Sequence, residues 1–250
     1  MGFNILKYNF HKGTVKGGRS ENQDSVFISD CKHGMLALIC DGMGGGKGGD
    51  IASETAVEVI SDSIVNGVEG SIVGLVRDAI RKANFEVYNM GLNNEDLFGM
   101  GTTLALLLLT PAMTILAHVG DSRIYHLRNN KIIYRTDDHS RIFELMKQGV
   151  IRNEEEARIH PIRNQITRAL GMAYEVMPDM IELDRNIDDY FYLCSDGINM
   201  WLSDKDIEKI HGIYISPRLI VDNSIAMANS LGEANGGNHD NISAISIHCI

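Results

Sequence analysis

Aspartates stand at the ends of several apolar runs in this chain, and carboxylates placed in this way can hold a cation. They are Asp41 after LALIC, Asp121 after TILAHVG, Asp196 after YFYLCS and Asp240 before ISAISIH. If the last strand runs antiparallel to its neighbours, all four carboxylates lie at one edge of the predicted sheets. Asp24, in RSENQD, precedes the short run SVFI and can join them.

Such a cluster predicts a metal site. Neighbouring carboxylates repel one another and raise each other's pKa unless a cation lies among them. No paired His or Cys accompanies them, so the donor set favours a hard cation, Mg²⁺ or Mn²⁺, over Zn²⁺. One Asp-Gly at a strand end usually marks only a turn. The prediction therefore rests on several aspartates together with the nearby Arg19.

The glycine-dense stretch ICDGMGGGKGGDIASETAV offers a phosphate cradle as the alternative. A Walker loop fails, because the positions around Gly46-Lys47 lack the first Gly and the final Ser or Thr. The pattern GxGxxG does occur, at Gly44, Gly46 and Gly49. A dinucleotide site also needs a second strand after the first helix, and here a second helix is predicted. We therefore interpret the glycines as a turn beneath the metal site.

Composition limits the other classes of function. The 250 residues are 44% hydrophobic and carry a formal charge of −10, which supports a sizeable core and argues against nucleic acid or an acidic membrane as partner. The first residues lack the apolar core of a signal peptide. The longest apolar stretch, residues 104–109, is too short to span a bilayer. The four cysteines show no CxxC spacing, and Cys40 and Cys194 lie in apolar runs. We expect a soluble cytoplasmic protein with reduced thiols.

The elements that must position the aspartates are mostly strands with short connections. Apolar patterning predicts strands over residues 35–40, 102–109, 113–119, 123–127, 131–134, 190–194 and 242–249. The central ones are joined by the turns TPAM, GDSR and RNNK, which predict antiparallel neighbours. Helices are predicted in pairs, over residues 51–66 and 71–92 and over residues 203–211 and 216–231. This order favours antiparallel sheets with helices outside. Residues 137–171 are more polar and predict a helical excursion on the surface.

The motifs, taken in order, resemble the metal-dependent serine/threonine protein phosphatases of the 2C type (PPM family) in their bacterial form. They are RSENQD, DGMGG, GTT, AHVGDSRIY, TDDHS, HPIRNQITRALG, CSDG and GGNHDNIS, and they extend across nearly the whole chain. The resemblance implies an α+β fold, a four-layer αββα sandwich of two antiparallel β-sheets flanked by helices. It also implies one catalytic domain over residues 1–250, with a flap at about 137–171, and a binuclear Mn²⁺ or Mg²⁺ centre.

The resemblance also implies a role for each site residue. Asp41 bridges two tightly bound ions, the Gly42 carbonyl ligates the second ion, and Asp196 and Asp240 hold the first. Asp24 supports water at the metals, and Asp121 is a ligand of a third, weaker site. Arg19 binds the phosphoryl oxygens through a bidentate contact.

At two positions this sequence differs from the animal members of the family. Gln23 stands where animal relatives have Glu, so one carboxylate of the second ion's shell is missing. Met43 stands where they have a His thought to act as general acid, which leaves the proton donor for the leaving oxygen open. Water at the metals is one candidate. His139 is another, although a structural hydrogen bond is its more natural role.

The implied activity is hydrolysis of phosphoserine and phosphothreonine in proteins by a metal-activated water. The expected partners are phosphorylated proteins that a serine/threonine kinase modifies, with no nucleic acid and no membrane, and we expect a monomer. A catalytically silent domain of the same fold, which binds phosphoproteins, is the main alternative. A nucleotide-binding protein is the more distant one.

Overall fold

The computed structural model describes residues 7–44, 48–67 and 70–250. Within these ranges the strands, in chain order, are β1 (Tyr8–Val15), β2 (Asp24–Cys31), β3 (Gly34–Met43), β4 (Gly101–Thr102), β5 (Leu104–Leu109), β6 (Thr114–Val119), β7 (Arg123–Arg128), β8 (Lys131–Arg135), β9 (Asp179–Leu183), β10 (Tyr190–Cys194) and β11 (Ile242–Cys249). All of the pairings between them are antiparallel.

The strands form two sheets. One has the order β1-β11-β10-β7-β8, and the other has the order β2-β3-β5-β6-β9, with β4 paired to β3. The helices are α1 (Gly49–Asn66), α2 (Ile72–Asn93), α3 (Arg141–Lys147), α4 (Glu154–Ile159), α5 (Asp196–Asn199), α6 (Asp204–Ile213) and α7 (Pro217–Ala234), and a 3-10 turn spans Glu95–Leu97.

The unbroken apolar runs of the sequence are explained by burial on both faces of the central strands. In β3, Met35, Ala37 and Ile39 face the second sheet across the middle of the molecule, where they meet residues such as Phe191. The alternate residues of β3, Leu36 among them, pack under α1 and α2. A strand with no solvent face needs no polar alternation.

The second sheet is covered in the same way. Tyr192 and Cys194 of β10 pack against α6 and α7, while Phe191 and Leu193 face the first sheet. Four layers follow, helix–sheet–sheet–helix, so the predicted α+β sandwich is confirmed. Three of the cysteines are buried, Cys31 is half-buried, and all four are free thiols. In the part of the chain that the structure describes, no helix is long and apolar enough to cross a bilayer.

One turn prediction is wrong. TPAM and RNNK join hairpin neighbours, β5 to β6 and β7 to β8, as expected. GDSR instead carries the chain from β6 in one sheet to β7 in the other. Gly120 has φ +101°, a left-handed conformation that glycine adopts readily, and this lets the chain leave the first sheet within a few residues. The crossing places Asp121 between the two sheets.

Three edge strands, β1, β2 and β9, were not among the predicted strands, although SVFI in β2 was noted as a short run, and the predicted run over residues 102–109 is broken at Thr103. The surface excursion is present between β8 and β9 and carries α3 and α4. Its two arms pair with each other: Arg141 N donates to Gln165 O at 2.8 Å, and Thr167 N donates to His139 O at 2.8 Å. We call this paired segment, residues 139–141 with 165–167, the neck.

Candidate active site

Asp24 and Asp41 are brought together by strand pairing. They are direct cross-strand partners in the β2–β3 register, which places their side chains on the same face of the sheet. Thr103 fixes the backbone of Asp41 from the other side. The Asp41 N–H donates to Thr103 Oγ1 at 2.9 Å, and the Thr103 N–H donates to Asp41 O at 2.9 Å. The break in the strand at Thr103 therefore holds the end of β3 at the site.

Gly42 lies where only glycine fits. A Cβ at this position would lie 1.9 Å from Gly49 O, at the start of α1. The Gly42 N–H donates to Gln23 O at 3.1 Å, and the Gln23 side chain packs on Gly49. The turn therefore runs directly beneath the start of α1, as the glycine-rich sequence indicates. Of the glycines in the GxGxxG alternative, Gly46 lies outside the described residues.

Asp196 follows β10 and begins α5. Its neighbour Ser195 links three strands: the Ser195 hydroxyl donates to Asp24 Oδ2 at 2.8 Å, the Ser243 N–H donates to Ser195 Oγ at 3.0 Å, and the Ser195 N–H donates to Ser243 O at 3.1 Å. These bonds set the distance between β2, β10 and β11 at the edge where the carboxylates meet. The sequence offered no signal for Ser195 beyond its position beside Asp196.

Asp121 reaches the same edge from the sheet crossing. The Asn199 side chain donates to Asp121 O at 3.0 Å, which anchors the turn through its backbone. Asp121 Oδ1 is buried and has no hydrogen-bond partner among the described residues. A carboxylate that served only the turn would use its oxygens to accept hydrogen bonds from N–H groups of the turn. The free oxygen therefore favours a ligand role over a turn role.

Four buried carboxyl groups at this edge, those of Asp24, Asp41, Asp121 and Asp196, strongly perturb one another's pKa values. Asp24 and Asp196 are the neighbouring negative charges that act most strongly on the carboxyl group of Asp41. Burial, and then the neighbouring negative charges, raise the pKa values of Asp41 and Asp196 well above the ordinary range. Burial is also the main cause that raises the pKa of Asp24 to about 6 and that of Asp121 to about 7.

Metal ions fit this donor set. One oxygen of each of Asp24, Asp121 and Asp196 is buried without a partner in the described structure, and buried carboxylate oxygens are costly unless a proton or a cation satisfies them. The donors are all hard oxygens, which suit Mn²⁺ or Mg²⁺. Asp41, between two other carboxyl groups, occupies the position expected of a bridging ligand. The assignment of individual ligands remains a prediction.

Arg19 and Asp240 are paired with each other. Arg19 Nε donates to Asp240 Oδ1 at 3.2 Å, and Nη2 donates to Oδ2 at 2.9 Å, while the Asn241 N–H also donates to Oδ1 at 2.9 Å. The sequence assigned Arg19 to phosphate and Asp240 to metal, and it did not predict this contact. A guanidinium matches a carboxylate and a phosphate with the same planar fork, so the pairing keeps Arg19 oriented at the site.

Asn241 holds the Arg19 loop, which sequence reasoning also missed. Its side-chain NH₂ donates to Lys16 O and Glu21 O, both at 2.8 Å, and its Oδ1 accepts from the Gln23 N–H at 2.8 Å. One amide side chain thus closes the loop that precedes β2. Its position next to Asp240 in GGNHDN was the only available signal.

The cleft at this edge has a volume of about 940 Å³. The predicted residues that line it are Arg19, Asp41, Gly42, Asp121, Asp196 and Asp240. Asp24, 8% exposed, lies behind Asp41 and outside the lining, which suits a supporting role. Gln23 and Met43, where the sequence departs from animal relatives, also line the cleft.

His139 makes a structural hydrogen bond. Its Nδ1 accepts from the Gly120 N–H at 3.1 Å, so the neutral ring carries its proton on Nε2, which lies 3.2 Å from Asp179 Oδ2. Burial, followed by the nearby His118, lowers the pKa of His139 to about 4. His139 is not among the described residues that line the cleft. It supports the turn that carries Asp121.

His118, His139 and Asp179 place possible ligand atoms within 4.8 Å of one another. The two imidazole rings are stacked, with centroids 4.4 Å apart and planes 22° apart. An imidazole ligates a metal through a lone pair in its own plane, so two stacked rings cannot both point at one ion. His118 Nε2 also contacts Asp137 O at 2.8 Å. We interpret this cluster as packing between β6, β9 and the start of the flap.

Comparison with known proteins identifies the family. A profile of the family described as Protein phosphatase 2C matches residues 16–232. The serine/threonine phosphatase stp of Listeria welshimeri is 34% identical over 228 residues, which cover 89% of this chain and 86% of that protein. A crystal structure of the Mycobacterium tuberculosis serine/threonine phosphatase PstP/Ppp superposes with a TM-score of 0.85 at 29% identity, covering 98% of this chain and 99% of that one.

A second similar structure holds metal. The catalytic domain of the serine/threonine protein phosphatase PstP in complex with two manganese ions superposes with a TM-score of 0.84 at 28% identity, covering 98% of this chain and all of that one. The extent of these matches, together with an acidic cleft at the edge of a two-sheet sandwich, shows that the chain belongs to the protein phosphatase 2C family.

Proposed function

We propose that this protein hydrolyses phosphoserine and phosphothreonine in other proteins at a centre that binds two Mn²⁺ or Mg²⁺ ions. The observation that carries the proposal is the convergence of Asp41, Asp121, Asp196 and Asp240 in one cleft beside the guanidinium of Arg19. Clustered carboxylates supply a cation site, and the guanidinium supplies a contact for phosphoryl oxygens.

The chain's own residues set the geometry of the reaction. Asp41, Asp196 and Asp240 would hold the ions, with the Gly42 carbonyl as a further ligand, and Asp24 would support water from behind Asp41. Such ions lower the pKa of water and neutralise charge on a phosphoryl group. Arg19, 45% exposed at its side chain, would orient the substrate phosphate at the mouth of the cleft.

No histidine lines the described part of the cleft. Met43 carries no proton to donate, and His139 is held by Gly120 and Asp179. We infer that the leaving serine or threonine oxygen takes its proton from water. Asp121, with its unpartnered oxygen, would contribute to a third, weaker metal site.

Several wider features belong to the same proposal. We infer that the substrates are targets of a serine/threonine kinase, that the protein works as a cytoplasmic monomer in signalling, and that it needs neither nucleic acid nor a membrane. The formal charge of −10 supports the last point, because both of those partners need a basic face. We also infer that the catalytic domain is the whole of residues 1–250, with the excursion between β8 and β9 as its flap.

A panel of phosphothreonine and phosphoserine peptides, assayed for phosphate release with Mn²⁺, tests the proposal. We expect turnover that EDTA abolishes and that added Mn²⁺ restores. Metal binding by calorimetry without any hydrolysis would instead support a silent, phosphoprotein-binding domain. Dinucleotide affinity that is independent of divalent metal would support a nucleotide-binding protein.

A further inference from the structure

A second cavity opens beside the catalytic cleft, between the flap and α5. It shares Asp121, Asn164 and Asp196 with the lining of the cleft, so the two spaces are adjacent. Its volume is about 110 Å³, which is room for several water molecules and hence for one side chain. A peptide whose phosphate occupies the cleft can therefore place a neighbouring residue in this cavity.

The cavity has an apolar wall. Ile142, Phe143 and Met146 of α3 line one part of it, and they lie on one side of that short helix because their spacing is i, i+1 and i+4. Met200, just after α5, lines the cavity as well. Phe143, Met146 and Met200 are only half-buried, so they keep apolar surface available to a ligand. None of them is needed for the catalytic chemistry proposed above.

The arginines around the cavity fall into two kinds. Arg123 is neutralised by Asp138 through two hydrogen bonds of 2.7 Å, and Arg135 pairs with Asp204 at 2.9 Å. The other two, the half-buried Arg158 and the exposed Arg163, make no ion pair with any side chain that the structure describes. The flap side of the cavity therefore presents a positive charge that can attract an acidic group.

These features indicate a site that selects substrates by the residues beside the phosphorylated one, and this inference rests on the proposed phosphatase function. We propose that the cavity binds a large apolar side chain of the substrate, within two residues of the phosphorylated one, and that Arg163 favours an acidic residue next to it. The preferred substrates are then phosphopeptides with an apolar–acidic pair beside the phosphoresidue, and the flap reads the sequence that surrounds the phosphate.

The test uses the wild-type protein with Mn²⁺ and a series of phosphothreonine peptides. In the first set, the peptides differ only in whether Leu, Ala or Lys stands at each of the two positions on either side of the phosphothreonine. In the second set, Asp, Glu or Ala stands beside the Leu. Turnover of p-nitrophenyl phosphate, which has no residues on either side of its phosphate, reports on the chemistry alone. We expect Leu to exceed Ala about tenfold in kcat/KM at one of the positions, as is typical of apolar pockets.

Met146→Lys places a charge in the apolar wall, and Met227→Lys, at an exposed methionine of α7, is the matched control. Met146→Lys should reduce the preference for Leu to less than about threefold and leave p-nitrophenyl phosphate turnover unchanged. Met227→Lys should keep the full preference. Arg163→Ala should remove the additional preference for Asp or Glu beside the Leu.

Each outcome decides the inference. Equal kcat/KM for Leu and Ala at every position, or a preference that survives Met146→Lys, would overturn it while leaving the phosphatase function intact. Failure of the wild type to hydrolyse both p-nitrophenyl phosphate and every peptide would overturn the proposed function, and the inference with it. If circular dichroism shows that Met146→Lys does not fold, Met146→Ser replaces it.

Discussion

The acidic edge of the sheets and the flap lie side by side, yet they are built in different ways. At the edge, Asp41 and Asp196 are fixed by strand register and by hydrogen bonds from Thr103 and around Ser195. The flap carries two helices of only seven and six residues, and the pairing within its neck holds its arms together. We therefore expect the chemistry to depend on the hydrogen-bonded edge and the proposed substrate preference to depend on the flap.

The largest expected effect tests whether the chemistry resides at the edge. Asp41→Asn and Asp196→Asn should each lower kcat on a phosphothreonine peptide by roughly 10²–10³-fold or more, because each removes a charge that holds the ions. Phosphate release at saturating Mn²⁺ measures the effect. Asp62→Asn, at an exposed position of α1, is the matched control. Near-normal turnover of either site variant would contradict the assignment.

The second prediction concerns the stability of the edge without metal. The pKa of Asp24 is raised to about 6, so the stabilisation from its protonated form is fully present below about pH 4 and is lost as pH rises through 6. The loss amounts to about 3 kcal/mol in the free energy of unfolding. Asp121, with a pKa of about 7, acts in the same direction.

Denaturant unfolding in EDTA across pH 4 to 8 measures that loss. Saturating Mn²⁺ should reverse it, with a gain of roughly 2.7 kcal/mol per ion at a hundredfold excess over Kd. Asp24→Asn should flatten the pH dependence of the metal-free protein. Stability that is independent of both pH and metal would show that the carboxylates are not a preformed cation site.

The third prediction tests whether Arg19 binds the substrate phosphate in addition to pairing with Asp240. Arg19→Ala should lower kcat/KM by roughly ten- to hundredfold, since a hydrogen bond to a charged group is worth about 1.5–3 kcal/mol. Arg19→Lys should restore only part of it, because a point charge cannot reproduce the planar fork. Inhibition by inorganic phosphate separates the two roles. Unchanged phosphate affinity in Arg19→Ala would restrict Arg19 to holding Asp240.

The fourth prediction concerns Asp121, which belongs to both regions because it lines the cleft and also the cavity under the flap. The variant is Asp121→Asn. We expect it to keep its fold and two tight ions but to turn over about tenfold more slowly. Its response to Mn²⁺ above the concentration that fills the tight sites should also weaken. Calorimetric titration beside turnover measures both. A variant identical to wild type would leave Asp121 as a turn residue.

The smallest effect is expected in the flap. The Ser140 hydroxyl accepts from the Phe143 N–H at 3.3 Å and caps α3. Ser140→Ala should cost about 1 kcal/mol, or a Tm lower by about 2–4 °C, with p-nitrophenyl phosphate turnover unchanged. Hydrogen exchange should accelerate mainly over residues 141–147. Ser71→Ala, at the corresponding cap of α2, is the control, and a collapse of activity would show that the edge depends on the neck.

The same contrast explains what the sequence could predict. Asp41, Asp196 and Asp240 could be predicted to share one edge because each stands beside a long apolar run, which indicates a buried strand. β1, β2 and β9 were missed because they lie at sheet edges, where partly exposed and polar residues interrupt the apolar pattern. GDSR was misassigned because a short turn fits a hairpin as well as a crossing between packed sheets.

Contacts between distant segments were beyond sequence reasoning. Nothing near Arg19 indicates that it pairs with Asp240, 221 residues away, and nothing near Asn241 indicates that its amide closes the loop before β2. Such contacts depend on the final arrangement of the sheets. The flap was recognised as polar and helical, but its neck is made by backbone bonds, to which side-chain patterning gives no guide.

The position of β11 has a consequence for how the protein is made. This strand lies between β1 and β10, so residues 242–249 must insert between strands that leave the ribosome much earlier. Asp240 and Asn241, just before it, complete the Arg19 side of the cleft. Pairings this distant in sequence form slowly. A nascent chain that stops short of β11 therefore leaves one sheet open and the Arg19 side of the cleft incomplete, and we expect dephosphorylation to begin only after this strand has been translated and docked.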